Sequence, residues 1–180
     1  MINTHGGGAQ TNKNGLKFEQ DTSLHTAIVN AGFATTKISK GNNSVSTHKI
    51  YDNDAEIGII TSKQQMYKYV LEPMGVDFKK CISKQLQPDD AYISHKNKEV
   101  CIIEKKFQST SGSVDEKLQT CDYKKWEYEK LWKPLGYNVR YIYVLNDWFQ
   151  KPEYRDVLEY ITMKGCEYYF NEIPVENIIY

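Results

Sequence analysis

Apolar residues at Leu16, Phe18, Leu24, Ala27 and Ile28 recur at helical spacing along NGLKFEQDTSLHTAIVNAG, a stretch closed by Gly32. The spacing predicts one helix of about four turns, because its apolar face can be buried and a glycine readily adopts the conformation that ends a helix. From Phe33 to Val70 the pattern changes. Short β-prone pieces alternate with the polar turns KGNN and YDND, and a helix over Lys63–Leu71 runs up to the breaks at Pro73 and Gly75. The clearest unit is AYISHKNKEVCIIEKKF, with strands over Ala91–Ser94 and Val100–Phe107 joined by the polar His95–Glu99.

Beyond the loop QSTSGS, apolar and aromatic residues at Leu118, Cys121, Tyr123, Trp126, Tyr128, Leu131 and Trp132 predict a helix over Asp115–Trp132. Ser113 with Glu116 three residues on is a capping pattern, and Pro134 and Gly136 end the run. NVRYIYVLND is nearly continuous in β-branched and aromatic residues, which predicts a strand buried on both faces. EYRDVLEYITMKG reads as a further helix and CEYYFNEI as an edge strand. The order strand, strand, helix, strand predicts an α/β fold: a central mixed β-sheet flanked by helices. No repeat or linker divides the 180 residues, so they are read as one domain, with residues 1–14 a flexible or DNA-contacting arm.

Charge changes this picture only locally. The 23 basic and 23 acidic residues cancel, but residues 151–180 carry a net −3, which leaves +3 on the first 150. Lysines cluster at Lys79–Lys80, Lys105–Lys106 and Lys124–Lys125, where they can meet phosphates or simply face water. Cys81, Cys101, Cys121 and Cys166 lack the close pairs of a zinc site and are read as reduced thiols of a cytoplasmic protein. No run of 18 apolar residues occurs, so no membrane span is expected.

The candidate chemistry lies in PDDAYISHKNKEVCIIEKKFQ. Side chains two apart on a strand share a face, so Glu104 and Lys106 project together. Asp89 or Asp90 stands at the mouth of the neighbouring strand. An Asp and a Glu suit Mg²⁺, which takes hard oxygen ligands, and the main-chain carbonyl of Lys105 can add another. The Lys106 ammonium has no lone pair to give a metal. It can orient or deprotonate a water, or offset charge developing on a scissile phosphate. His5, His25, His48 and His95 show no metal-ligand spacing.

Pro88-Asp89, followed after 14 intervening residues by Glu104-Lys105-Lys106, resembles the motif of the PD-(D/E)xK nuclease superfamily, and IIEKKFQSTSGSVDEKLQTCDYKKWEY is similar to its type II restriction endonucleases. The resemblance implies a restriction-endonuclease-like core and a Mg²⁺-dependent endonuclease acting on double-stranded DNA. It implies that Asp89, Glu104 and Glu19 hold metal, with Asp90 the alternative if the strand is bulged, and that Lys106 assists the attacking water. Gln119 and Tyr123 match a Gln-x-x-x-Tyr element, and with Gln108 they become supporting residues. Implied partners are a second copy of the chain and a DNA methyltransferase. A non-catalytic DNA-binding or interaction module on the same fold, or a nuclease for branched DNA or RNA, are the competing readings.

For DNA contact, TTKISKGNNSVSTHK supplies Lys40, Asn42 and Asn43, while Lys117 and Lys124 flank the helix after the catalytic strand. Tyr123, Trp126, Tyr128 and Trp132 are read as core or subunit packing. Trp148, Phe149, Tyr154, Tyr160, Tyr168, Tyr169 and Phe170 are a candidate dimer face.

Overall fold

Among the described residues, seven strands pair in chain order into one mixed sheet. The structure is a computed structural model that describes residues 7–40, 46–110 and 114–180. β1 (Ala34–Lys37), β2 (His48–Asp52), β3 (Ala55–Thr61), β4 (Asp90–Ser94) and β5 (Glu99–Lys106) are antiparallel neighbours. β6 (Asn138–Leu145) and β7 (Glu167–Phe170) then add in parallel to β5. The β2–β3 hairpin closes through Asn53 and Asp54, both at positive φ (46° and 67°), which suits the twist of a two-residue hairpin and favours Asn and Asp there. Gly58 on β3 permits a close approach. A Cβ there would lie 2.5 Å from both the Ile93 carbonyl and the Tyr92 ring.

Helices cover both faces. On one, Ala91, Ile93, Val100, Ile102, Tyr141 and Tyr143 meet α3 (Val114–Leu118), α4 (Cys121–Trp132), α5 (Arg155–Met163) and the π-helical turn Tyr67–Leu71. On the other, Tyr92, Cys101, Ile103, Ile142 and Val144 meet α2 (Leu24–Asn30) and α6 (Val175–Ile179). β6 contributes alternate residues to both cores, which is why its sequence runs apolar without interruption. Among the described residues, no helix is long and apolar enough to cross a membrane. All four cysteines are free thiols.

The two longest helices expected from the pattern are each broken once. The first runs as α1 (Gly7–Asp21) and then α2. Thr22 turns its hydroxyl onto the Phe18 carbonyl at 2.6 Å, and Ser23 leaves helical geometry (ψ 124°) to cap α2 through Thr26 N–H. Such side chains compete with the backbone ladder, and the capping serine restarts it. Gly32 ends α2 at φ 93°. Residues 7–14 of the expected arm are helical and form the start of α1, with no proline to stop the helix running back from Phe18. The second break falls at Gln119–Thr120, where the Thr120 hydroxyl donates to the Lys117 carbonyl at 2.8 Å. Ser113, the expected cap, lies outside the described residues.

The aromatic residues sort differently from expectation. Tyr128 and Trp132 are buried, whereas Tyr123 and Trp126 are about half exposed, at 55% and 50%. Phe149 and Tyr154, assigned to a dimer face from their composition, are buried in the α4-side core, with Trp148, Tyr160, Tyr168 and Phe170 against it. The 3-10 turns at Asp147–Gln150 and Pro152–Tyr154 fold these rings inward.

Candidate active site

The alternation of β4 and β5 divides the charges of the PDD and EKK segments between the two sheet faces. Glu104 and Lys106 continue the series Val100, Ile102 toward α4, and Asp89 continues Ala91 and Ile93 on the same side. Asp90 and Lys105 continue Tyr92, Cys101 and Ile103 toward α1 and α2.

On the α4 face, Lys106 Nζ lies 2.7 Å from Glu104 Oε2, 3.3 Å from the Lys105 carbonyl oxygen and 3.9 Å from Asp89 Oδ2. Asp89 Oδ2 also accepts the Lys105 main-chain N–H at 2.8 Å. Its other oxygen pairs with Lys63. Burial raises the Glu104 pKa against the pull of Lys106, and the nearby Asp89 carboxylate raises it further. Burial works against the Lys63 charge, but the hydrogen bond and charge of Asp89, helped by Glu19 and Glu104, raise its pKa overall.

On the opposite face, Lys105 Nζ sits 2.6 Å from Asp90 Oδ2, with side chains 4% and 18% exposed. It also donates to the Glu19 carbonyl at 3.0 Å, while Asp90 Oδ2 accepts Leu24 N–H at 3.2 Å. This pair therefore clamps the break between α1 and α2 onto the sheet. Burial raises the Asp90 pKa, and Lys105 opposes the rise.

A groove crosses the end of the sheet beside both pairs. One part, about 440 Å³, is lined by Glu19, Lys63, Asp89, Asp90 and Lys105. An adjoining part of about 530 Å³ shares Leu16, Glu19 and Lys105 and adds Lys106 and Lys117. Glu19 thus lines the cleft, its charge acts on Lys63, and its main-chain carbonyl fixes Lys105.

Other expected residues lie farther from this centre. Gln108 is buried and its main chain is clasped by the Asn146 amide, at 3.0 and 2.9 Å, tying the end of β5 to β6. Gln119 and Tyr123 are both exposed, and Gln119 lies in the break between α3 and α4. Lys124 pairs with Glu127 at 3.5 Å. Lys40 is exposed and donates its main-chain N–H to the Tyr69 hydroxyl; Asn42 and Asn43 lie outside the described residues. Arg140, the only arginine besides Arg155, is engaged with Glu167 at 2.7 Å and Glu99 at 3.3 Å.

Sequence reasoning missed Lys63. It follows β3 with φ 49°, and its main-chain N–H bonds the Pro88 carbonyl at 2.8 Å. A lysine just past an apolar strand was the available signal, but no spacing tied it to a motif 26 residues on.

Mg²⁺ prefers oxygen ligands. Asp89, Glu104 and the Lys105 carbonyl are all oxygen donors converging on one cation, the Lys106 ammonium, and so fit a hard divalent ion. Among the described residues no three His, Cys, Asp or Glu side chains form a metal-holding group; the third oxygen comes from the main chain. A family model described as a PD-(D/E)XK nuclease superfamily domain matches residues 22–124, more than half of the chain. No curated protein and no solved structure matches the chain.

Proposed function

The chain belongs to the PD-(D/E)XK nuclease superfamily, and on that premise we propose that it is a Mg²⁺-dependent endonuclease cutting double-stranded DNA in a sequence-specific, restriction-like manner. The observation that carries this reading is the convergence of the Asp89, Glu104 and Lys105 carbonyl oxygens on the Lys106 ammonium. Those oxygens would hold the ion, with Glu19 reaching it or its water from the cleft wall. When bound, Mg²⁺ supplies Lewis-acid polarisation of the phosphate and a more acidic water.

Lys106, tethered to both carboxylates, orients the water and offsets charge growing on the phosphate. Lys63 holds the Asp89 carboxylate in place. Lys117, facing the same groove as Lys106, grips a neighbouring phosphate. Lys40, Asn42, Asn43 and Lys124 extend the DNA contact. A homodimer would present two such sites to opposite strands, and a restriction role implies a partner methyltransferase.

The test is digestion of a long, sequence-diverse duplex with Mg²⁺, alongside Glu104→Ala and Lys106→Ala. Discrete bands lost in both variants, with DNA binding retained, support the reading. One observation favours a non-catalytic DNA-binding module instead: Asp89 is already satisfied by Lys63, Lys106 and a main-chain N–H. That reading predicts DNA binding without cleavage in every variant.

A further inference from the structure

Next to the groove lies a cavity of about 420 Å³ that the cutting chemistry does not use. Its walls carry the hydroxyls of Ser23, Ser46 and Thr61 and the imidazoles of His25 and His48, over Ile60. Asp90 is its charged neighbour, already neutralised by Lys105. The two imidazoles face each other with centroids 4.2 Å apart and planes 40° from parallel.

Three of the four imidazole nitrogens decide what the cavity offers. His25 Nε2 is 3.1 Å from the Thr35 hydroxyl, and His48 Nε2 is 2.8 Å from the Ser46 hydroxyl. His48 Nδ1 is shut off from solvent and has no hydrogen-bond partner among the described residues. That nitrogen is sealed inside the protein, so the cavity presents the ring faces and the hydroxyls rather than a free imidazole nitrogen. Burial first, then the His25 and Lys37 charges, lowers the His48 pKa to about 4, so the ring is neutral near physiological pH.

A cavity of imidazole rings and hydroxyls, its one carboxylate already paired with Lys105, does not suit a divalent cation. It suits a flat heteroaromatic group with donors and acceptors along its edge. Its volume falls in the range of small-molecule sites, about 300–1,000 Å³. Ser23, Thr26, Ser62 and Asp90 line both this cavity and the groove that holds Asp89 and Lys63, so one ligand can span the two.

Resting on the nuclease reading, we propose that the cavity receives an unstacked nucleobase of the strand whose phosphate lies at Asp89 and Glu104. The base lies against the paired imidazoles, and the hydroxyls of Ser46 and Ser23 read its edge. Drawing a base out of a duplex costs a few kcal/mol, and that cost favours sequences that unstack easily. His25 and His48 are then specificity-determining residues, distinct from the groups that cut.

The test follows the ring C–H resonances of His25 and His48 by NMR in the Glu104→Ala protein. The probes are the four deoxyribonucleoside monophosphates, short duplex DNA, and the same duplex with single abasic positions scanned along it. Intact DNA should shift both imidazoles through the ring current of the base. One abasic position should remove the shift and weaken binding at least about fivefold, the loss of one stacked base. The monophosphates should shift the same resonances with a preference among bases.

Resonances that stay put with every probe, or move equally for intact and abasic DNA, overturn the proposal. Digestion by the wild-type chain separates the two claims. Cutting with unmoved imidazoles removes the pocket and keeps the nuclease; base-dependent shifts without cutting do the reverse.

Discussion

Asp89 and Asp90 are adjacent in the chain, and each meets a lysine of the same EKK triplet, yet they lie on opposite faces of the sheet. Asp89 joins Glu104, Lys106 and Lys63; Asp89 and Lys63 line one part of the groove and Lys106 the adjoining part. Asp90 joins Lys105 in a pair that accepts a helix N–H and donates to a helix carbonyl. The first group sets two carboxylates against two ammoniums, and burial, with the Asp89 charge, raises the Glu104 pKa. The second sets one carboxylate against one ammonium; burial raises the Asp90 pKa as well, and its further hydrogen bonds go to helix backbone. One residue of strand phase therefore separates a cluster of four charged side chains from a clamp on the helix backbone.

The largest expected effect breaks the clamp. Asp90→Ala leaves the Lys105 ammonium, 4% exposed, without its partner, and should cost about 3–5 kcal/mol in denaturant unfolding. Asp90→Asn combined with Lys105→Met should recover most of that loss, because replacing both members of a buried pair is often close to neutral.

Glu104→Ala should act mainly on the chemistry. DNA cleavage should fall by about 10²–10³-fold, with a smaller loss of stability than Asp90→Ala, because the freed Lys106 is 19% exposed and keeps Asp89 at 3.9 Å. Cleavage rates and melting curves measured on one preparation check both halves.

Lys63→Met should have a smaller effect, about tenfold on cleavage, the scale of one hydrogen bond to a charged group. Lys63→Arg should restore most of it, as a rate assay under saturating Mg²⁺ would show.

The mildest perturbation is pH, and it acts on the α2 side through His48. Its folded pKa of about 4 lies below the ordinary 6.5. The unfolded chain therefore binds more protons between those values, and stability is lost as pH falls from 6.5 through about 4. Melting curves across that window should show the decline, and His48→Gln should flatten it.

The core of this arrangement was legible because strands write their geometry into alternation. Val100, Ile102, Glu104 and Lys106 fall on one side by counting alone, and the short β4–β5 connection brings Asp89 and Asp90 beside them. The same counting leaves open which aspartate joins Glu104 and Lys106 until the pairing Asp90↔Ile103 is known. Lys63 was illegible because its approach depends on how β3 ends, and on the bond from its N–H to Pro88. The helix breaks at Thr22–Ser23 and Gln119–Thr120 were missed for another reason. Apolar spacing carries across them, and only the local hydroxyl-to-carbonyl bonds of Thr22 and Thr120 interrupt the ladder. The aromatic residues between Trp148 and Tyr154 looked like an interface because composition cannot tell an inward-folded 3-10 turn from an exposed one.

The separation of the two faces is tested most directly by the Mg²⁺-dependent cleavage rate of duplex DNA for Asp89→Asn beside Asp90→Asn, at a temperature where both remain folded. Cleavage should collapse in Asp89→Asn, by about 10²-fold or more, and persist to a large extent in Asp90→Asn. Loss of cutting in Asp90→Asn with Asp89→Asn still active would place the chemistry on the α2 face and contradict this account.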